Sequence, residues 1–429
     1  SGVPVVNGYI ADIHGNENIP GVSACNGAPA ALGPGTPCYI AQAQYYNQAF
    51  GTFFKRLAAD GITPKNTLFE LSSDEGDHVA GANVGRAIQP TPANCDGVTT
   101  PCTYPVGTFG ELATNVTGLL ASQKNNTTPF SLESDSAPEF YVTGNPGPNV
   151  PQVRTLERDV GGLTAANPYT GTTQKISNYL ADPAEEAILH MVNADPARTP
   201  TFAMFAKPDY FLSRGAANCS TPCVSVNPAF AYNHGDYAAE INTNYTAFAG
   251  PGVRHLGLDG TSAANGPNSA GPDSGQLVVA DSGTKGTWVD ETDIRPTLIY
   301  LTGLKDDYEH DGRVISQILS HPNHALRTPG VARLGACYKQ LNSSVGQFGN
   351  FTLQASTAAV ESNTTGDAEY RTVSAALTGL DKLRDSLALR VKGELEAAAF
   401  GDHPVIGAAG QTAACQGIIA AAGVLARHA

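Results

Sequence analysis

The run Ser72-Ser73-Asp74-Glu75-Gly76-Asp77-His78 carries three carboxylates and an imidazole within its last five residues. It follows Thr67-Leu68-Phe69-Glu70-Leu71, whose apolar character reads as a buried strand. Oxygen donors and a histidine at the carboxyl end of a strand stand where open α/β sheets place their active sites. The same grammar recurs at Pro228-Ala229-Phe230-Ala231-Tyr232-Asn233-His234-Gly235-Asp236 and at Gly8-Tyr9-Ile10-Ala11-Asp12-Ile13-His14-Gly15. Three strand-like runs that each end in a His close to an Asp predict a metal centre.

Asp and His together suit zinc, while carboxylates also accept magnesium, calcium or manganese. Two such cations about 4 Å apart can activate a nucleophile and stabilise the leaving oxygen of a phosphoryl group. The candidate ligands are Asp12, His14, Asp74, Asp77, His78 and His234, with Glu75 as a further carboxylate. Taken singly, His14 and His234 each precede a glycine and read equally well as turn residues, and Asp74 and Asp77 as turn formers or helix caps. Repetition of the pattern favours the metal. The other histidines, among them His190, His255, His310, His321 and His324, read as surface or helix residues.

Positioning such ligands needs a sheet. Strands are expected over 67–73 and 201–206, and helices over 39–59, near 110–123, over 182–194 and over 290–304. The last has acidic capping residues, a Pro in its first turn and a closing Gly. This alternation predicts an α/β sandwich with a mostly parallel central sheet. Long loops rich in Gly, Pro, Ser or Thr cover 80–110 and 256–286. Beyond residue 325 the style changes. Val373, Leu377, Leu380, Leu383, Leu387, Val391 and Leu395 recur at three- or four-residue intervals and predict one long amphipathic helix over 367–399. With helices over 330–346 and 408–427, the expected division is an α/β domain over 1–325 and a helical extension over 326–429.

A chain of 429 residues, 41% hydrophobic and 15% charged, can bury a large core. Its formal charge of −14 opposes a nucleic-acid partner, which would need a basic surface. The apolar run Ile418 to Leu425 is too short to span a bilayer, so no membrane partner is expected. The eight cysteines fall into sequential pairs, Cys25 with Cys38, Cys95 with Cys102, Cys219 with Cys223 and Cys337 with Cys415. Four disulfides would place the protein in an oxidising compartment, secreted or periplasmic. A zinc knuckle at Cys219 and Cys223 lacks a second ligand pair nearby. The chain opens at Ser1-Gly2-Val3-Pro4 without a signal peptide, so a secreted protein is expected to have been processed upstream of Ser1.

The residues resemble the alkaline phosphatase superfamily of phosphatases, phosphodiesterases, sulfatases and phosphoglycerate mutases. Asn233-His234-Gly235, with Phe248-Ala249-Gly250-Pro251-Gly252-Val253 after it, resembles the family's last metal-histidine motif and the strand that follows. Val289 to Leu304, with Asp311-Gly312-Arg313 downstream, resembles its closing Asp-Ile-x-Pro-Thr-Leu helix and Asp-Gly-Arg turn. Thr67 to His78 is similar to its strand ending in a metal-binding Ser-Asp-His-Gly-type motif. The resemblance covers most of residues 1–325 and none of the remainder. It implies that His234 ligates a first metal together with Asp12 and His14, and that Asp74, Asp77 and His78 fall where the family supplies ligands to a second.

In that family a metal-binding Asp and a Ser or Thr nucleophile precede all of these motifs. The expectation is therefore a secreted metal-dependent phosphoesterase acting on a small phosphate ester. Its nucleophile would lie upstream of Ser1, on a processed segment or a separate N-terminal chain. The alternative is a non-catalytic extracellular structural or binding protein on the same scaffold. The helical extension suits assembly, including into a homo-oligomer.

Overall fold

The structure, a computed structural model, describes residues 4–10, 35–81, 91–95, 99–103, 110–238, 240–242, 244–256 and 289–429. Most of the two expected long loops, and the first of the three His-Asp runs from Ala11 onward, lie outside them. The strands in chain order are β1 (Phe69–Ser72), β2 (His78–Val79), β3 (Glu111–Asn115), β4 (Phe130–Glu133), β5 (Glu139–Val142), β6 (Thr164–Asn167), β7 (Thr172–Lys175), β8 (Ser177–Ala181), β9 (Phe202–Ala206), β10 (Tyr210–Ser213), β11 (Val224–Asn227), β12 (Tyr232–Asn233) and β13 (Thr246–Ala249). The helices are α1 (Pro37–Ala59), α2 (Val116–Leu119), α3 (Pro151–Gly161), α4 (Pro183–Ile188), α5 (Ile294–Leu301), α6 (Val331–Asn342), α7 (Gln347–Glu361), α8 (Ala368–Gly401) and α9 (Ala408–His428).

The mixed α/β class and the C-terminal helical region are present. A mostly parallel central sheet is not found among the described residues. The largest sheet is four-stranded, ordered β4-β5-β9-β8, and every pairing in it is antiparallel. The one parallel pairing among the named strands joins β10 to β3, with β11 antiparallel on the other side. The remaining sheets are the antiparallel pairs β1-β13, β2-β12 and β6-β7. Tight returns explain the difference: β4 reaches β5, and β6 reaches β7, through short turns that permit antiparallel neighbours and exclude the long crossover a parallel pair needs.

The helix expected near 110–123 begins as a strand. Residues 111–115 are captured between β10 and β11, and this pairing overrides local helix propensity. Asn115 then caps α2, its Oδ1 accepting from Gly118 N at 3.0 Å, and a π-helical turn over Leu120–Lys124 ends the segment. The 182–194 helix stops at Ile188. Helix α7 has no counterpart among the expected elements.

One continuous apolar core runs from the sheets into the helices beyond residue 326. It joins Leu112, Phe140, Leu180 and Phe202 to Leu334, Phe348, Leu377, Val391 and Ile419. Phe140 and Phe202 stack across β5 and β9 at 4.4 Å between ring centroids. Disulfides join Cys95 to Cys102, Cys219 to Cys223 and Cys337 to Cys415. The second removes the thiolates a zinc knuckle would need. Cys25 lies outside the described residues. By length and composition alone, α9 is apolar enough to cross a bilayer, with a best window of mean hydropathy 1.3. The short run counted from the sequence did not include the alanines around it. In the fold α9 closes the bundle against α6, α7 and α8.

The segment from Asp290 to Arg313 forms a polar junction under α6. Asp293, fully buried, accepts from Arg313 N at 2.8 Å. Lys339 Nζ of α6 lies 3.5 Å from Asp293 and 3.7 Å from Asp290, and donates to Thr292 Oγ1 at 2.7 Å. Gly312 has no room for a side chain, because its Cα faces the Thr292 backbone.

Candidate metal centre

Two short antiparallel pairs build the site. Strand β1 is held by β13, and the turn after it is fixed by Ser73 N donating to Tyr245 O at 3.3 Å and Gly76 N to Ile241 O at 3.1 Å. The chain then enters β2, where His78 lies opposite Asn233 of β12. In antiparallel register the residue before His78 faces the residue after Asn233, so Asp77 meets His234. Asn233 locks that register, donating through Nδ2 to Pro208 O at 2.9 Å and Tyr210 O at 3.2 Å and accepting from Ser136 Oγ at 2.7 Å.

His234 Nδ1 lies 3.1 Å from Asp77 Oδ1 and 3.1 Å from Glu75 Oε1. Metal bonds of about 2.0–2.2 Å to nitrogen and oxygen put neighbouring donors roughly 3.0–3.4 Å apart, so the spacing fits one shared cation. These three form the one group of acidic or histidine ligands converging in this way among the described residues. Their side chains are between a quarter and two-fifths exposed, which leaves solvent positions for a cation to enter and for a further ligand.

The surroundings are acidic. The hydrogen bond to Asp77 raises the His234 pKa, and the charges of Glu75, Asp77 and Asp135 add to it against the opposing effect of burial. Burial pushes the carboxyls of Glu111 and Asp135 up, offset in part by hydrogen bonds and by the charge of His234. Asp236 is pushed up to about 7 by burial, and its Oδ2 has no hydrogen-bond partner among the described residues. Gly235 has φ +93°, and a Cβ there would come within 2.5 Å of Asp135 Oδ1. The turn that aims His234 therefore requires glycine.

Of the six expected ligands, the structure brings Asp77 and His234 together and adds Glu75. His78 stands apart. It is buried, with Nε2 3.0 Å from Asp209 Oδ1 and Nδ1 2.6 Å from Glu240 Oε1. Burial lowers its pKa, but these two hydrogen bonds and charges prevail and raise it to about 9. Both ring nitrogens serve an ion-pair cluster in which Asp209 also accepts from Asn167 Nδ2 at 2.8 Å. Asp74 is exposed and accepts from Tyr9 Oη at 3.3 Å. Asp12 and His14 lie outside the described residues. The sequence reading passed over Asp209, Glu240, Asp135 and Glu111, and included Asp236 in its run without naming it a ligand. Asp209 did carry a signal, since it stands just past the apolar strand Phe202–Ala206.

No protein-family model, curated protein or solved structure matches this chain.

Proposed function

We propose that this chain is the metal-holding part of a secreted, metal-dependent phosphoesterase of the alkaline phosphatase type, with Glu75, Asp77 and His234 as ligands to one divalent cation. The observation that carries the reading is the convergence of these three donors from segments 157 residues apart in sequence. The order of motifs along the chain supports the family, as does the role of Asp293 and Arg313 in tying down the segment that resembles its closing helix. The three disulfides suit an extracellular location. Imidazole favours zinc, and the carboxylates admit magnesium, calcium or manganese.

A bound cation would supply charge stabilisation for a transferring phosphoryl group and lower the pKa of an oxygen nucleophile. The chain's own residues do the rest. The β2-β12 register orients His234, and Asn233 fixes that register. Asp135 and Glu111 add carboxyl groups beside His234, so a phosphate ester enters only when positive charge offsets them. The substrate class is a small phosphate monoester or diester.

Elemental analysis and a titration with zinc, manganese and magnesium test the metal. About one equivalent is expected, lost in His234→Ala with the fold retained. An aryl phosphate and a bis-aryl phosphate diester, assayed with the metal-loaded protein, test the chemistry. A metal-free protein, inert under those conditions, would leave the non-catalytic scaffold as the answer.

A further inference from the structure

Helix α4 carries two acidic residues, Glu185 and Glu186, whose side chains are fully buried where the sheets meet α7 and α8. Asp182 caps the helix and is well satisfied. Its Oδ1 accepts from Ala184 N at 3.1 Å and Glu185 N at 3.2 Å, and its Oδ2 from Ser374 Oγ of α8 at 2.8 Å. The two glutamates have no such provision. Both oxygens of Glu186 and Oε2 of Glu185 have no hydrogen-bond partner among the described residues.

The nearby arginines are committed elsewhere. Arg154 of α3 pairs with Glu157, donates to Val360 O at 2.9 Å and lies over the Tyr370 ring. Arg384 of α8 pairs with Asp381 at 2.6 Å and Asp385 at 2.7 Å and donates to Ile188 O at 3.0 Å. The charged groups facing Glu185 are Asp182, Arg384 and Asp381, and those facing Glu186 are Asp182, Glu139 of β5 and Glu157. The phenols of Tyr237 and Tyr141 face Glu185 and Glu186 respectively. Helix α7 presents Thr352. Its single hydroxyl hydrogen has Phe348 O and Gly349 O at 3.1 Å as acceptors, while Glu185 Oε1 lies at 2.9 Å. A protonated Glu185 satisfies this arrangement by donating to Thr352 Oγ1. An ionised one would compete with the two carbonyls for one hydrogen.

We propose that Glu185 and Glu186 hold protons at neutral pH and act as a latch, fastening α7 and α8 to the sheets in acid and neutral solution and loosening them in alkali. An unpaired buried carboxylate is too costly to persist, so the proton stays until the helices part or the solution forces it off. The direction follows from linkage. Burial raises both carboxyls, Glu186 to about 9 and Glu185 well above its usual range. The stabilisation is complete below the ordinary carboxyl range and is lost as pH rises toward the folded-state values.

The test uses the full chain with its disulfides intact. Denaturant unfolding across pH 5 to 9, with a count of protons released on unfolding near pH 7, reads the latch directly. The wild-type unfolding constant is expected to rise by up to about tenfold per pH unit for each held proton. Glu185→Gln and Glu186→Gln mimic the protonated side chains and should each remove about one proton from the count. Amide protection in α7 and α8, corrected for intrinsic exchange, should fall between pH 6 and 9 in wild type and hold in the glutamine variants. Proton counts unchanged by either substitution overturn the proposal. So does a calcium or magnesium ion bound by wild type and lost in Glu186→Gln but kept in Asp77→Asn. If one glutamine variant fails to fold, the other decides: a count equal to wild type overturns the latch, as does a wild-type release no larger than His78, Glu157 and Asp236, also raised, can supply.

Discussion

Asp74 and Asp77 stand in one acidic run, and the fold gives them different work. Asp77 faces His234 across a strand pair, while Asp74 points to solvent and Tyr9. Asp77→Asn is therefore expected to weaken cation binding by more than about a hundredfold, beyond the loss typical of an outer-shell partner, and Asp74→Asn to leave it nearly unchanged. Isothermal titration with zinc and manganese separates the two. Gly235→Ala should cost about 1–3 kcal/mol in denaturant unfolding, because it combines a positive φ with a collision against Asp135. It should also weaken cation binding by displacing His234. The sequence marked the acidic run and His234 as metal-type residues. It did not distinguish Asp77 from Asp74, because the deciding fact is the pairing of His78 with Asn233, a register set between distant segments.

Among the elements, those with a clear apolar stripe were legible. The spacing from Val373 to Leu395 foretold a helix over 367–399, and α8 runs Ala368–Gly401. Helix α1 begins two residues before the expected start, at Pro37 behind the Thr36 cap. Helix α7 left no such trace. It has no charged residue before Glu361, and burial of most of its faces removes the polar side that periodicity detects. The strands between residues 130 and 181 are short and supported by neighbours rather than by local pattern. Helix α6 depends on one buried cation, since Lys339 is nearly sealed between Asp290 and Asp293. Lys339→Met should cost about 3–5 kcal/mol, because it leaves buried carboxylate charge without its main partner. Chemical denaturation measures this. A loss below about 1 kcal/mol would mean that Arg313 alone suffices for Asp293.

At the scale of the whole molecule, the cysteine pairing read from the sequence agrees with the three described disulfides, whereas the parallel sheet expected from element alternation is not found among the described residues. Alternation records which elements follow one another, and strand direction is set by how each connection returns. The Cys337–Cys415 bridge closes a loop of 78 residues. Replacing both cysteines by serine should cost about 4 kcal/mol, mainly through greater freedom of the unfolded chain. Calorimetry of the variant with the other bridges intact provides the measurement. The same bridge encloses the exposed turn Asn363–Gly366 between α7 and α8. A protease that cut this turn would sever the backbone without dividing the molecule. The nicked protein would run as one band on a non-reducing gel, part into two pieces only with a reductant, and keep α9 in place until then.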